Sequence, residues 1–447
     1  MLQEPTATVL GPDPTHRKHA INGYAFQQDA VTTFNGWQYA VHYSSGRSGD
    51  EEPLFVHLSR RKLPEGPIET IVFEDYPQTT DDGHNTVQLG ICHDDGTIHL
   101  SYDHHCDVLR YRYSVRGLAQ DPTAHQWNPS LFTSTLEYLP GIASSHNHFG
   151  YVTYPRLGSL GPGVLFMSLR DGKAGLGSDH LYLYRAATGF WEFVGTPLTG
   201  VQSNPYVHGW DFDQRRNILH VTWVYRGFVW YDGWDDLADT KHKQQAGPNG
   251  AENNHNLCYA YSEDLGYTWR NGKGDVIADL RRGQTIDNST NGIVAFEIPK
   301  KSGLMNQEAQ AVDRSGGVHV LNRQMLDEKH MWVHYHRSAK GNWTSRAVRP
   351  IDGPRRGRLA ITKDDRLLFI LPETATPTMR ILQATKLDDY ASYEEIWLGE
   401  GLTGEPLIDG PRLESDNVLS IFTKKAADDS DDMRNVVLLD FELSTNN

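Results

Sequence analysis

Short segments of alternating polar and apolar residues, separated by tight turns, run through most of this 447-residue chain. Residues 38–43 alternate with the two-residue period of a strand, and Asp95-Gly96 is a strong hairpin signal before the alternating run at 97–102. The same pattern returns along the chain as far as residues 436–441. We find no segment with a sustained helical period and caps. The pattern therefore predicts an all-β protein, built as a sandwich, a barrel or a propeller.

Composition narrows the protein class further. Hydrophobic residues make up 38% of the chain, which is too apolar for a disordered protein, and no apolar run reaches the roughly 18 residues of a membrane helix. The net charge of −15 argues against a general nucleic-acid partner, because that function needs a basic surface. Three cysteines (Cys92, Cys106 and Cys258) are too few for a disulfide framework. We therefore expect neither a nucleic acid nor a membrane as partner.

One segment distinguishes among the all-β architectures. Residues 262–269, SEDLGYTW, match the Asp-box pattern S-x-D-x-G-x-T-W, a turn between the outer strands of propeller blades. We predict that this segment is structural, not catalytic. At four strands per blade, the chain fills roughly seven blades. The prediction is a single-domain, seven-bladed β-propeller at 21–447 that carries the catalytic site, preceded by an N-terminal extension at 1–20.

Candidate functional histidines lie in the first third of the chain. His84 occupies a polar loop before a strand, and His104 ends the alternating run of Ile98, Leu100 and Tyr102. The alternation predicts that His104 points inward and His105 outward. On the residues alone, an inward histidine at a strand end is more often a hydrogen-bonded core residue than a catalyst. Adjacent residues on opposite faces of a strand chelate poorly, so a metal site at 104–106 is disfavoured.

Two further candidates follow at Tyr154 and Arg170, where a packed tyrosine and a salt-bridged arginine are the ordinary alternatives. The spacing of His255 and Cys258 is compatible with two ligands of a structural zinc, but no second pair lies nearby in the sequence, so a buried strand start is the favoured interpretation. Calcium at one of the Asp-rich turns is the other structural metal that we consider, without an EF-hand pattern to support it.

The motifs together resemble the BNR-repeat, seven-bladed propeller polysaccharide lyases of the ulvan lyase and L-rhamnose-α-1,4-D-glucuronate lyase type. The resemblance spans roughly residues 20 to 340 and rests on the Asp-box and on the following segments: G-H-N at 83–85, the histidine at 104, T-Y-P at 153–155, L-R-D-G at 169–172, and M-N-Q at 305–307 with Asp313.

The resemblance implies β-elimination at a 4-linked uronate, with His104 and Tyr154 as the catalytic acid–base pair. It implies Arg170 and His84 as substrate-binding residues, because removal of the C5 proton requires a positive group at the uronate carboxylate. The implied partner is an acidic polysaccharide or oligosaccharide containing rhamnose and glucuronate. The chemistry needs no cofactor.

Two alternatives remain open on the sequence alone. One is a propeller glycoside hydrolase of the α-L-rhamnosidase type on the same linkage, which normally requires a pair of carboxylates. The other is a sugar-binding propeller without catalysis. We expect a monomer that is secreted, extracellular or periplasmic, although no signal peptide is visible in the sequence.

Overall fold

The computed structural model describes residues 1–24, 29–236, 238–239, 248–427 and 430–444. Within these residues the strands form seven sheets, arranged as the blades of a β-propeller, which confirms the predicted fold class. No helix in the same residues is long and apolar enough to cross a membrane.

The first three blades hold the strands that carry most of the candidate site. Blade 1 contains β2 (Val31–Phe34), β3 (Trp37–Ser45), β4 (Leu54–Lys62) and β5 (Glu69–Gln78). Blade 2 contains β6 (Val87–Cys92), β7 (Thr97–Tyr102) and β9 (Tyr111–Tyr113). Blade 3 contains β8 (His105–Asp107), β10 (Val152–Ser159), β11 (Val164–Asp171), β12 (Ser178–Arg185) and β13 (Phe190–Leu198).

The remaining blades complete the ring. Blade 4 contains β14 (Ser203–Asp213), β15 (Ile218–Gly227), β16 (Asn254–Ser262), β17 (Thr268–Arg270), β18 (Val276–Asp279) and β19 (Val294–Phe296). Blade 5 contains β20 (Ala309–Val312), β21 (Val318–Leu326), β22 (Lys329–Arg337) and β23 (Trp343–Pro350). Blade 6 contains β24 (Arg358–Ile361), β25 (Arg366–Glu373), β26 (Thr378–Thr385) and β27 (Glu394–Glu400). Blade 7 contains β28 (Leu407–Ile408), β29 (Val418–Ala427), β30 (Ser430–Glu442) and β1 (Thr6–Pro12).

Helical segments in the described residues are short. One α-helix, α1 (Gly410–Asp416), lies between β28 and β29. The 3-10 helices are Pro122–Ala124, Pro129–Leu131, Asn147–Gly150, Ala251–Asn253, Leu280–Arg282 and Lys386–Asp388.

The N-terminal strand closes the ring. β1 pairs antiparallel with β30, with Thr6 opposite Asp440 and Pro12 opposite Asn435. This pairing satisfies backbone groups that β30 would otherwise expose at the edge of the sheet. Residues 6–12 of the predicted extension are therefore part of the propeller, and the predicted boundary at residue 21 does not separate them from it.

The blades pack through apolar side chains that neighbouring sheets share. In one core cluster, Val31 of blade 1, Leu89 of blade 2 and Leu438 of blade 7 are all buried. Around the centre of the ring, strands of neighbouring blades contact one another. Examples are the contacts of β2 with β6, of β6 with β10 and of β20 with β24. Loops that connect the strands therefore converge at the ends of this ring.

The Asp-box is the structural turn that its sequence predicts. It joins β16 to β17, where Asp264 accepts hydrogen bonds from the Ser262 hydroxyl at 2.9 Å and the Thr268 N–H at 2.7 Å. The Trp269 indole N–H donates to the Gly266 carbonyl at 2.9 Å, and its ring is fully buried. The turn packs against blade 3 and has no part in the candidate site.

Candidate active site

Three neighbouring strands of blade 3 place candidate residues side by side. His105 of β8 pairs with Thr153 of β10, and Thr153 pairs on its other side with Arg170 of β11. Tyr154 follows Thr153 directly, so three neighbouring strands carry an imidazole, a phenol and a guanidinium close together. The loop between β5 and β6 adds His84 to this group.

Asp82 holds the two histidines together. Its Oδ1 lies 2.8 Å from His84 Nδ1, and its Oδ2 lies 2.5 Å from His105 Nδ1. The two rings stack with centroids 3.6 Å apart and planes 18° apart. The contacts with Asp82 fix the orientation of both rings and leave the Nε2 atom of His84 directed away from Asp82.

Burial and hydrogen bonding set the charge states of this group. Burial lowers the pKa of His84, although Asp82 opposes the shift by stabilising the imidazolium. Burial and the neighbouring His84 lower the pKa of His105 to about 3. Burial acts to raise the pKa of Asp82, but hydrogen bonds with His105 and His84 outweigh it and hold that pKa below its usual range. The group is therefore an ionised carboxylate with two neutral imidazoles near pH 7.

Tyr154 lies at a bulge in β10. The register with β11 shifts between Thr153 and Arg156, and Tyr154 adopts a left-handed backbone conformation at φ 55°. Such a conformation costs a non-glycine residue of order 1–3 kcal/mol, and strained residues of this kind cluster at active sites and ligand-binding segments. The bulge directs the ring to within 5.6 Å of the His84 ring, measured between centroids. Burial raises the pKa of Tyr154, so the hydroxyl keeps its proton.

Arg170 provides the positive charge of the site. Its guanidinium lies 4.7 Å from the ring centroid of Tyr154 and 5.4 Å from that of Tyr206. The side chain is only 2% exposed, and its Nε and Nη1 atoms have no hydrogen-bond acceptor within the described residues. A buried guanidinium with two unused donors suits a planar, anionic ligand such as a carboxylate.

His104 lies apart from this cluster, contrary to its predicted catalytic position. β7 ends at Tyr102, and Asp103 has φ 69°, so the strand alternation does not continue to His104. The buried ring accepts a hydrogen bond at Nε2 from the Arg110 backbone N–H at 2.8 Å, and burial lowers its pKa to about 3. The structure gives His104 a structural position and brings His105 to the site.

The predicted metal pair belongs to one strand. His255 and Cys258 both lie in β16, where Cys258 is fully buried and burial raises the pKa of its thiol. Within the described residues, neither belongs to a group of three or more metal-ligating side chains. The structure adds no further ligand to this pair.

Sequence reasoning missed several residues at or near the site. Arg226 lies 4.5 Å from the Tyr206 ring centroid, and the two residues come from β15 and β14 of blade 4. Arg356 is buried and donates from Nε to the Gln307 carbonyl at 2.7 Å. Only Asp82 offered a local signal, because it lies two residues before His84.

A known protein family matches more than half of this chain. The family model described as "BNR repeat-containing family member" matches residues 37–350. This chain belongs to that family. The predicted resemblance to BNR-repeat propeller lyases is confirmed at this level, and the matched region includes every residue of the Asp82–His84–His105–Tyr154–Arg170 cluster.

Curated relatives share limited identity with the chain. A long-isoform ulvan lyase of Pseudoalteromonas sp. (strain PLSV) is 26% identical over 271 residues, which are 49% of this chain and 27% of the relative. A short-isoform ulvan lyase of Alteromonas sp. (strain LOR) is 24% identical over 284 residues, 55% of this chain and 50% of the relative. The chain thus matches between about a quarter and a half of the length of these relatives.

Solved structures share the fold over nearly the whole chain. The polysaccharide lyase Uly1 matches with a TM-score of 0.70 at 18% identity, covering 99% of this chain and 100% of that one. A PL25 ulvan lyase bound to -[GlcA(1-4)Rha3S]- matches with a TM-score of 0.62 at 12% identity, covering 96% and 95% of the two chains. These likenesses establish the propeller fold.

Proposed function

We propose that this protein is a polysaccharide lyase that cleaves a rhamnosyl-α-1,4-glucuronate linkage by β-elimination. The observation that carries the proposal is the buried Arg170 guanidinium with two unused donors, held over Tyr154. An arginine stays charged at any working pH and binds a carboxylate through two parallel hydrogen bonds. The uronate carboxylate is the group that such a site selects.

In the proposed elimination, Arg170, His84 and Tyr154 each have one role. Arg170 binds the carboxylate and stabilises the negative charge that develops beside it when the C5–H bond breaks. His84, neutral because burial lowers its pKa, accepts the C5 proton. The electron pair forms the C4–C5 double bond and the C4–O4 bond breaks. Tyr154, whose raised pKa keeps it protonated, donates its proton to the departing O4.

Asp82 and His105 are positioning residues in this proposal. The Asp82 carboxylate orients His84 through Nδ1, so we assign proton transfer to Nε2, which faces away from Asp82. The stacked ring of His105 restricts His84 from the other side. His104, the catalytic residue expected from the sequence, has no part in the step.

The relatives support the substrate class. Several curated relatives are ulvan lyases, and one solved neighbour holds a glucuronate-rhamnose saccharide. A single uronate pocket is compatible with the net charge of −15, because a cleft focuses the field of its own residues. We propose an acidic rhamnose- and glucuronate-containing saccharide as substrate, and a secreted or periplasmic location where such polymers are encountered.

Product analysis tests the proposal. The protein is incubated with ulvan and with rhamnose-capped glucuronate oligosaccharides, and the products are analysed by ultraviolet absorbance and mass spectrometry. Elimination yields a 4,5-unsaturated uronate whose mass is one water lower than that of the hydrolysis product. Release of rhamnose with intact glucuronate would instead identify a hydrolase. Binding without turnover on every substrate would identify a sugar-binding propeller.

A further inference from the structure

A second histidine cluster lies on blade 3, outside the candidate active site. His148, Asp171 and His180 bring their potential ligand atoms within 4.8 Å of one another. His148 lies in the 3-10 helix Asn147–Gly150, Asp171 ends β11, and His180 lies in β12. Three separate segments therefore supply one ligand each.

Both imidazoles already use Nδ1 for hydrogen bonds with hydroxyl groups. His180 Nδ1 lies 2.9 Å from the Thr196 hydroxyl, and His148 Nδ1 lies 3.1 Å from that of Tyr182. Such bonds to the second nitrogen are how proteins orient histidine ligands toward a metal. The two rings stack with centroids 3.6 Å apart and planes 8° apart, and each offers one nitrogen within 4.8 Å of the other's and of an Asp171 carboxylate oxygen.

The Nε2 atom of His180 faces Asp171 at a distance too long for a hydrogen bond. The residue is only 4% exposed, and its Nε2 has no hydrogen-bond partner within the described residues. This atom lies 3.9 Å from Asp171 Oδ2, a carboxylate oxygen on a side chain that is 32% exposed. A buried imidazole nitrogen without a partner, beside a carboxylate reached by solvent, is the arrangement expected around a cation.

We propose that His148, Asp171 and His180 bind a divalent transition-metal ion of the zinc class. Two imidazole nitrogens and one carboxylate oxygen form a donor set typical of Zn²⁺, with a fourth position left for water. Tetrahedral zinc with bonds of about 2.1 Å holds its donors roughly 3.4 Å apart, so a small inward movement of the side chains completes the site. This proposal does not depend on the proposed lyase activity.

In the other two histidine–carboxylate groups among the described residues, more of the possible ligand atoms are already engaged in hydrogen bonds. In Asp313–His319–His336, the Nε2 atom of His336 also has no hydrogen-bond partner within the described residues, but both nitrogens of His319 are engaged, Nε2 with Asp313 at 3.3 Å and Nδ1 with His334 at 2.9 Å. That arrangement forms a hydrogen-bond network in the core of blade 5. In the Asp82 group, both carboxylate oxygens already contact histidines. The metal proposal therefore concerns the His148 group.

A metal at this position would join the 147–150 helix to β11 and β12. Asp171 directly follows Arg170 in β11, so the two side chains project from opposite faces of one strand. The ion would fix the end of the strand that carries the guanidinium. We expect it to act as a clamp between the segment before β10 and the strands after it.

Metal content and zinc titration test the site. Full-length protein is purified without chelator and analysed by elemental mass spectrometry, then stripped with EDTA and titrated with ZnCl₂ by calorimetry. We expect one zinc per chain and an increase in Tm when zinc is restored. Absence of zinc binding by the stripped wild-type protein would overturn the proposal.

Variants locate the bound ion. His148→Ala and His180→Ala should each lower zinc affinity at least about 100-fold, because loss of a ligand exceeds the 10–100-fold cost of removing a second-shell partner. Asp171→Asn, a near-isosteric change at a partly exposed position, provides a variant that keeps its fold if His180→Ala does not. His330→Ala, at an exposed histidine outside the cluster, is the matched control and should bind zinc like the wild type. Unchanged zinc affinity in His148→Ala and Asp171→Asn would refute the assignment.

Discussion

The guanidinium of Arg170 lies 4.7 Å from the ring centroid of Tyr154, and the two side chains come from adjacent strands of blade 3. The contact places a permanent positive charge beside a phenol that keeps its proton, 5.6 Å from the ring of a neutral histidine. The relationship depends on the bulge at Tyr154, because the regular register of β10 would direct this ring elsewhere. The predictions about catalysis start from this arrangement.

Replacing Arg170 tests the carboxylate-binding assignment. Arg170→Lys keeps the charge but loses the planar pair of donors, so we expect a fall in kcat/KM of roughly 10²-fold, corresponding to about 2.7 kcal/mol of transition-state stabilisation. The measurement is the rate of unsaturated-uronate formation. Arg215→Lys, at a partly exposed arginine paired with Glu414, is the control and should leave the rate unchanged. A rate near wild type for Arg170→Lys would contradict the assignment.

Removing the Tyr154 hydroxyl separates proton donation from binding. Tyr154→Phe keeps the ring under Arg170, so we expect kcat to fall about 10²–10⁴-fold while KM changes little. Substrate affinity of the inactive variant is measured by calorimetry and should match that of the wild type. Full turnover by Tyr154→Phe would exclude the phenol as the acid.

Variants of His84 and His104 distinguish the proposed catalytic role of His84 from the catalytic role of His104 that the sequence predicts. His84→Ala removes the proposed base and should lower kcat by about 10²–10⁴-fold. His104→Ala leaves the Arg110 N–H without its acceptor, which should cost about 1–3 kcal/mol of unfolding free energy while kcat stays within a few-fold of wild type. Both rates and urea unfolding curves are measured. The opposite pattern would restore His104 as the catalytic residue.

The activity should depend on pH in a direction set by His84. The base acts when neutral, so activity is present above its pKa and is lost as pH falls through that value, which lies below the ordinary histidine value of about 6.5. Tyr154 acts when protonated, and its raised pKa places the alkaline loss above about pH 10. We therefore expect a flat kcat/KM profile through neutral pH.

Asp82→Asn tests the cause of this profile. Asp82 raises the pKa of His84 against the effect of burial, so its removal should move the acid limb to lower pH and also reduce the rate, because His84 loses its orienting partner. An acid limb that moves to higher pH would show that another group controls it.

The Asp-box should affect stability without affecting catalysis. Gly266 has φ 94°, and a Cβ at this position would overlap the Leu181 side chain of blade 3. Gly283 has φ 69° with nothing within 4 Å of a Cβ, so Gly283→Ala measures the backbone cost alone, about 1–2 kcal/mol. Gly266→Ala should lower the free energy of unfolding by roughly 1–3 kcal/mol more than Gly283→Ala does, because the Leu181 side chain must move. Thermal unfolding and kcat of both variants are the measurements, and equal losses of stability would contradict the packing argument.

Much of the fold was accessible from the sequence. Two-residue alternation and turn signals are local properties, so they predict the strands, and the Asp-box at 262–269 selects the propeller. The closure by β1 was not accessible in this way. Pairing between residues 6–12 and β30 joins the two ends of the chain, and neither segment carries a local signal for its partner.

The residues of the candidate site could be predicted only in part from the sequence. Tyr154, Arg170 and His84 were identified by motif, and the structure brings these three together. His105 replaced His104 because one left-handed residue, Asp103, breaks the alternation on which the prediction depended. Asp103 lies between β7 of blade 2 and β8 of blade 3, so the alternation of β7 does not set the direction of the side chains that follow it.

The sequence by itself determined that this chain is an all-β propeller with a histidine, a tyrosine and an arginine available for uronate chemistry, because strand period, turn residues and side-chain type are local. Only the tertiary structure decided which imidazole meets the guanidinium, and that Arg226 and Arg356 are buried. Those outcomes depend on register, bulges and contacts between blades, which residues far apart in the chain create together.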